Sequence, residues 1–466
     1  MKTRKMLAAI AATCLLAART AWCAGTDQCV ILISVDGLAH FYLDDPKAHM
    51  PFIRALAERG ARADGMVCSF PTVTWPNHTT LVTGVTPARH GVLGNNYLDR
   101  SSGEKIPLIV DPLFDKEQLV RVPTIYDVAH RAGLTTAAII WPATRNARTL
   151  DFTVPDMFGN DSWRKFGTRT WLDELRTAGI PVDQYGTWVR QSDGGIRRDW
   201  MYTRMADHLF RHHPPNLLLI HLVEVDHVQH RYGPRSPDAY WAVSFADQCV
   251  RDIVEASRRS PFGDKTTVIV TSDHGFFPIE KDICPNVLLK KEGLIEVADN
   301  KVRSKAAWCV SQGGACMVYV LDPKIPPERI QALKRAFEHT EGIEAVFEPK
   351  DFGKLGQATP EQDPRAPDLW LAAKSGYSFS ETITGDKIIV QRGARAGTHG
   401  YLPEHPDMLG TLVISGFGVR EAVRLGRVSN LDVAPTMAEL LGLQLKNVQG
   451  RVLTKILRHA EASTER

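Results

Sequence analysis

The feature that most constrains this chain is an alternation of short apolar runs, rich in Val, Ile and Thr, with amphipathic stretches of helical length. A strand at Cys29–Val35 leads to a helix near Met50–Arg59, where Phe52, Ile53, Leu56 and Ala57 fall at helical spacing. A helix at Thr124–Arg131, stopped at Gly133, precedes a strand at Thr135–Trp141. The order recurs with helix Trp200–Arg211 before strand Asn216–Leu222, and helix Pro237–Ser257 before strand Thr266–Thr271. Strand Gly410–Ser415 and helix Leu431–Leu441, ended by Gly442, close the series. Strands apolar on both faces must be covered on both, and strands joined through helices run parallel. The expected fold class is therefore α/β, a mainly parallel central sheet with helices on both faces.

Two stretches break the rhythm. Residues 143–199 are rich in Gly, Asp, Arg and aromatics with weak periodicity, and are expected to form a cap or long loops. Residues 278–395 mix proline-rich joints with a helix at Pro326–His339 and strands near Ala315–Val320 and Ile343–Glu348. They read as a small inserted α+β subdomain, so the core is expected to comprise 25–277 and 396–460.

The amino terminus begins Met-Lys-Thr-Arg-Lys, continues with an apolar run from Met6 to Ala18, and reaches small residues around Ala21 and Ala24. A basic start, a short apolar centre and small residues afterwards describe a secretory signal over 1–24, too short to span a bilayer; an uncleaved anchor is the alternative reading. Export is therefore expected, to the periplasm or the exterior, with no membrane span after signal removal. Removal leaves Cys29, Cys68, Cys249, Cys284, Cys309 and Cys316, and an even count in an exported chain suggests disulfides. The net charge of +3 is small, and no Lys/Arg cluster interleaves with aromatics, which argues against binding a nucleic-acid polymer.

Chemistry-bearing residues gather where the apolar runs end. The strings are Val-Ile-Leu-Ile-Ser-Val-Asp36-Gly, Phe-Pro-Thr-Val-Thr74-Trp-Pro-Asn-His, Glu-Val-Asp226-His-Val-Gln-His230, Val-Ile-Val-Thr-Ser-Asp273-His274-Gly and Gly-Thr-His399-Gly. In open α/β sheets, ligands bind at the carboxyl ends of strands, so acids placed there converge although they lie far apart in sequence. Carboxylates and imidazoles are the ligand types zinc takes. Asp226 and His230, four apart, would face one way from one helical turn. Taken singly, Asp36-Gly37 and Asp273-His274-Gly275 also read as turns after strands, and Thr74 as the cap of a helix. His78, His221 and His227 read as polar or packed neighbours and not as ligands.

These motifs, in this order, resemble the nucleotide pyrophosphatase/phosphodiesterase branch of the alkaline phosphatase superfamily, from about residue 29 to about residue 445. The resemblance implies an alkaline-phosphatase-like core and two Zn²⁺. Asp226, His230 and His399 would hold one zinc and Asp36, Asp273 and His274 the other, with Thr74 as nucleophile between the two metals. It implies a phosphothreonine intermediate, a phosphate-oxygen donor at Asn95 in His-Gly-Val-Leu-Gly-Asn95, and a nucleobase-stacking aromatic at Trp75. Trp75 also reads as a helix-start packing residue. Phe158 would supply the other wall of a base slot, and Arg145 and Arg148 would meet distal phosphates or stay solvated. The implied activity is a metal-dependent phosphodiesterase/pyrophosphatase on nucleotides or small phosphodiesters. Two alternatives remain open: an alkaline-type phosphomonoesterase, which would need a basic partner from 143–199, and a non-catalytic zinc-binding ectodomain.

Overall fold

The computed structural model describes residues 27–108, 113–159, 161–191, 194–299 and 301–458. The segment read as an export signal, with Cys14 and Cys23, lies outside the described residues. Among the described residues no helix is long and apolar enough to cross a membrane.

The centre is an eight-stranded sheet in the order Val423–Leu425, Ala61–Ala63, Leu412–Gly416, Thr266–Thr271, Cys29–Val35, Leu217–Leu222, Thr136–Trp141, Phe152–Pro155. Every pairing is parallel except those of Leu412–Gly416, which runs antiparallel to both neighbours. The fold class is the expected one. Alternation along Cys29–Val35 divides the core in two: Ile31, Ile33 and Val35 join one apolar cluster, Val30 and Leu32 the other. Helices Pro51–Glu58, Gly194–His212 and Pro237–Arg258 cover the first face, and Thr74–Thr83, Ile125–Arg131 and Val433–Leu440 the second. Each fully buried Ile, Leu or Val in these layers stabilises by about 1.5–3 kcal/mol.

The insertion is α+β, as expected. Strands Ala307–Gln312, Ala315–Val320, Leu369–Ala373 and Ile343–Phe347 form an antiparallel sheet with helix Pro327–Glu338 against it. Strand Phe277–Ile283 leaves the core and Ile389–Thr398 returns antiparallel to it, pairing Phe277 with Thr398. That pairing brings His399 back beside His274.

Three expectations need correction. Residues 143–199 are not long loops: they supply the edge strand Phe152–Pro155 and helices Ser162–Phe166, Arg169–Thr177 and Tyr185–Trp188, locked by the Trp163–Tyr185 stack at 3.9 Å. The helix expected from Trp200 begins at Gly194. A Cβ at Gly194 would lie 1.8 Å from the Trp188 carbonyl oxygen and one at Gly195 1.7 Å from Glu224 Oε2, so close packing requires glycine at both positions. Finally, Cys29, Cys68, Cys249, Cys284, Cys309 and Cys316 are buried free thiols. Cys309 and Cys316 share a hairpin but are offset, opposite Val318 and Ser311 respectively.

Candidate metal centre and active site

Two clusters of ligand-type side chains form at the carboxyl edge of the sheet. In the first, Asp36 follows the central strand, its amide donating to the Leu222 carbonyl at 2.9 Å. Asp273 and His274 follow the neighbouring strand Thr266–Thr271, and all three side chains are buried. Gly37, at φ +68° in the turn after Asp36, donates its amide to Asp273 Oδ1 at 3.2 Å. His221 Nε2 lies 2.9 Å from Asp36 Oδ2, within reach to donate to it. Each carboxylate thus has one oxygen held by the protein and one free, and Asp36 Oδ1 and Asp273 Oδ2 each lie 3.2 Å from His274 Nε2. His274 Nδ1 lies 3.1 Å from the Gly275 carbonyl oxygen, so a ring that donates there and gives up its second proton would turn an Nε2 lone pair toward a cation between the two carboxylates.

The second cluster comes from helix Glu224–Tyr232 and the returning strand of the insertion. Asp226 Oδ1 lies 3.3 Å from His230 Nε2 and 3.5 Å from His399 Nε2. His230 Nδ1–H donates to the Gly397 carbonyl (3.1 Å) and His399 Nδ1–H to the Thr72 carbonyl (2.8 Å). Their Nε2 atoms lie 3.2 Å apart, and once both rings are deprotonated at Nε2 the two lone pairs would converge on one point. The clusters adjoin: the rings of His274 and His399 stack at 3.6 Å with 8° between planes.

Asp36 Oδ1, Asp273 Oδ2, His274 Nε2 and Asp226 Oδ1 are buried without a hydrogen-bond partner. Four buried polar atoms left without a hydrogen-bond partner, in two groups, are costly unless cations lie between them. Backbone carbonyls orienting the imidazoles are the arrangement that fixes metal-binding histidines. The donor set fits the two ions expected.

Burial and the Asp273 and Asp226 carboxylates push Asp36 well up. Burial opposes the charged form of His274, but Asp273 and Asp36 hold it well above its ordinary value. Burial also opposes ionisation of Asp273 and Asp226, yet the adjacent imidazoles hold both carboxyls below the usual carboxylate range. His399 is pushed down to about 3 by burial, with His274 adding to the effect.

Thr74 is the first residue of helix Thr74–Thr83 and 5% exposed. The helix cap is Val73, so Thr74 does not cap, and its hydroxyl makes no hydrogen bond among the described residues. Asn95 does part of the capping instead. Its Oδ1 accepts the Trp75 amide at 2.9 Å, which leaves Nδ2 as an uncommitted donor beside the nucleophile candidate. Sequence reasoning missed the residues that hold this pair. Gln312 Oε1 accepts the Asn95 amide at 2.9 Å, and its Nε2 donates to the Asn96 carbonyl at 3.0 Å, so the insertion grips the Asn95 loop. Asn77 Nδ2 lies within hydrogen-bond distance of the Ser69, Pro71 and Val73 carbonyls and its Oδ1 accepts the Ser69 amide, which shapes the loop presenting Thr72 and Thr74. The Pro-Asn-His run after Thr74 was the available signal for Asn77; nothing local marks Gln312.

The base-stacking expectation for Trp75 is corrected. Trp75 is 1% exposed and packs with Phe70, Val92 and Ala143, so neither ring face is open to a base. Phe158 is half-buried on the loop after Phe152–Pro155, and among the described residues it makes no ring contact with Trp75. Arg145 pairs with Asp115 at 2.9 Å and covers the Phe166 ring, while Arg148 is exposed. His221 lies against Asp36 and His78 against the Thr74 carbonyl, beside the two clusters.

Residues 30–402 match the family model described as type I phosphodiesterase / nucleotide pyrophosphatase. The chain belongs to that family. Among its relatives, an uncharacterized pyrophosphatase/phosphodiesterase of Schizosaccharomyces pombe is 24% identical over 89% of this chain and 77% of its own length. Ectonucleotide pyrophosphatase/phosphodiesterase family member 7 of Homo sapiens is 24% identical over 94% of this chain and 85% of its own length. Murine ectonucleotide pyrophosphatase/phosphodiesterase 5 has the same fold, with a TM-score of 0.69 at 19% identity over 92% of this chain and 100% of the murine one. An inactive threonine-to-alanine variant of that murine protein, in complex with AMP, matches with the same TM-score.

Proposed function

We propose that this chain is a two-zinc phosphodiesterase/nucleotide pyrophosphatase, hydrolysing nucleotides or similar small phosphodiesters through a phosphothreonine intermediate at Thr74. The observation that carries the reading is the convergence of four buried, unpartnered ligand atoms on two adjoining clusters. Each zinc would have three protein ligands, Asp36/Asp273/His274 and Asp226/His230/His399, the number typical of catalytic zinc, which keeps a further position for substrate or water. When bound, the ions supply Lewis acidity that favours the Thr74 alkoxide and offsets charge on phosphoryl and leaving oxygens.

The chain's own groups do the rest. Thr74 Oγ1 attacks phosphorus; the bond to the leaving oxygen breaks, and that oxygen departs with the electron pair. Water then cleaves the Oγ1–P bond and restores the hydroxyl. Asn95 Nδ2 donates to a non-bridging oxygen, already oriented because Oδ1 is held by the Trp75 amide. Amides at the start of helix Thr74–Thr83 add partial positive charge where the phosphoryl group sits.

Nucleotides are favoured as substrates by the names of the relatives and by the murine AMP complex. A diester preference is supported by the cations near the site: among the described residues no Lys or Arg makes a hydrogen bond or ion pair with Thr74 or Asn95. The buried Arg198 has Tyr202, Tyr185, Asp199 and Asp156 as its electrostatic neighbours. The free Thr74 hydroxyl beside complete ligand sets counts against a non-catalytic role. Export is part of the proposal, supported by the basic, apolar and small-residue order of the amino terminus. The test is kcat/KM on zinc-loaded protein for p-nitrophenyl TMP against p-nitrophenyl phosphate. The TMP ester is expected to be the better substrate, and a preference for the monoester would replace this reading by the phosphomonoesterase one.

A further inference from the structure

Against the buried cluster of Asp36, Asp273 and His274 lies a layer of rings outside that set. His221, on strand Leu217–Leu222, is 2% exposed, with Nε2 2.9 Å from Asp36 Oδ2 and Nδ1 3.1 Å from the Ile140 carbonyl oxygen. A neutral ring satisfies one of these acceptors at a time and an imidazolium both. In either form the ring is confined to the line between Asp36 and Ile140.

Ile140 reaches that line through an uncommon backbone. Its φ is +56°, a left-handed conformation that β-branched residues seldom adopt. The ladder to Phe152–Pro155 shifts register there, between Ile139 and Trp141. Such bulges redirect groups beside sites. This one aims a carbonyl at His221 and sets Trp141 edge-on to His78 at 4.9 Å. His78 completes the layer: its ring lies 4.2 Å from that of His221, and its Nδ1 is 2.9 Å from the Thr74 carbonyl and 3.6 Å from Asp273 Oδ2. Strain retained at one residue and spent on orienting one imidazole points to a requirement beyond packing, which a hydrocarbon side chain would meet.

We propose that His221, held by the Ile140 bulge, is a positioning residue for Asp36: it fixes the outer oxygen Oδ2 so that Oδ1 alone serves the cation of the buried cluster. Through its contact with His78, the same ring ties that cluster to the backbone of Thr74. The proposal rests on the two-metal reading above.

The test uses the zinc-loaded full chain with His221→Met, which fills similar space without a donor, and His221→Gln, whose amide still donates. Zinc release to excess EDTA is followed for each bound ion. His221→Met is expected to lose one of its two zincs about 10–100-fold faster than the wild type, the usual effect of removing a group that orients a ligand. The other zinc should keep its wild-type rate, and His221→Gln should stay close to wild type on both. The positioning role is overturned if His221→Met releases both ions at wild-type rates, or if Gln and Met are equally leaky. A wild-type chain that binds no zinc would overturn the two-metal reading and the positioning role with it, whereas two tightly held zincs in His221→Met would overturn the positioning role alone.

Discussion

The two ligand clusters use the same residue types in opposite settings. Asp36, Asp273 and His274 stand on the ends of adjacent central strands, with Asp273 and His274 fully sealed. Asp226, His230 and His399 stand on a helix and on the returning strand of the insertion, and the His230 side chain is 41% exposed. In the sealed cluster both carboxylates have one oxygen tied down; in the open one the imidazoles are tied to carbonyls and the carboxylate is not. The difference separates two roles. Under the proposed function, a cation held by the sealed cluster would be the one that favours the Thr74 alkoxide, and one held by the more exposed cluster would serve the leaving group and the incoming water.

Thr74 is proposed to act between the two clusters, so it offers the largest effect. Thr74→Ala is expected to lower kcat by more than about a thousandfold while zinc stays near two per chain, because the hydroxyl forms the covalent bond but adds little metal affinity. Retention of a tenth of wild-type kcat would remove the nucleophile from the account. Asn95→Ala should cost about 10²–10³ in kcat, the range for losing one preorganised donor. Gln312→Ala should act in the same direction by a smaller factor, since it releases the Asn95 loop without deleting the donor; an unchanged kcat in steady-state assays would disconnect the insertion from catalysis.

Acid should also act on the clusters. His274 and His230 are held above the ordinary histidine value in the metal-free chain, against the effect of burial, by Asp273 and Asp226 respectively. A raised pKa means the proton stays on as pH rises, so zinc must displace it and affinity should fall as pH is lowered. Zinc titrations at several pH values, with proton release counted, check this; affinity independent of pH would contradict it.

Trp75 gives the smallest difference between substrates. As a buried residue of the Phe70/Val92 cluster it should affect every substrate alike, so Trp75→Phe is expected to change kcat/KM for p-nitrophenyl TMP and bis-p-nitrophenyl phosphate by the same factor. A loss confined to the nucleotide ester would restore a stacking role.

Much of this was legible from the sequence because the informative residues sit on regular elements. The central strands were visible as apolar runs, and Asp36, Asp273 and His274 follow them directly, so the sheet edge alone brings them together. The spacing of Asp226 and His230 reported one helix face. What was not legible depends on tertiary contact. Trp75 looks the same in sequence whether its ring is open or packed, and only the Phe70 cluster decides. Gln312 lies 217 positions from Asn95, and no local pattern announces that bond. The helix expected from Trp200 begins at Gly194, where Trp188 and Glu224 press against Gly194 and Gly195, a contact no local pattern reports.

The most direct measurement is zinc content by elemental analysis of the wild-type chain, Asp273→Ala and Asp226→Ala after identical metal loading and desalting. Two ions in the wild type and one in each variant are expected, with Asp273→Ala keeping the open-cluster ion and Asp226→Ala the sealed one. A wild type holding fewer than two, or a variant retaining both, would contradict two separately built metal clusters.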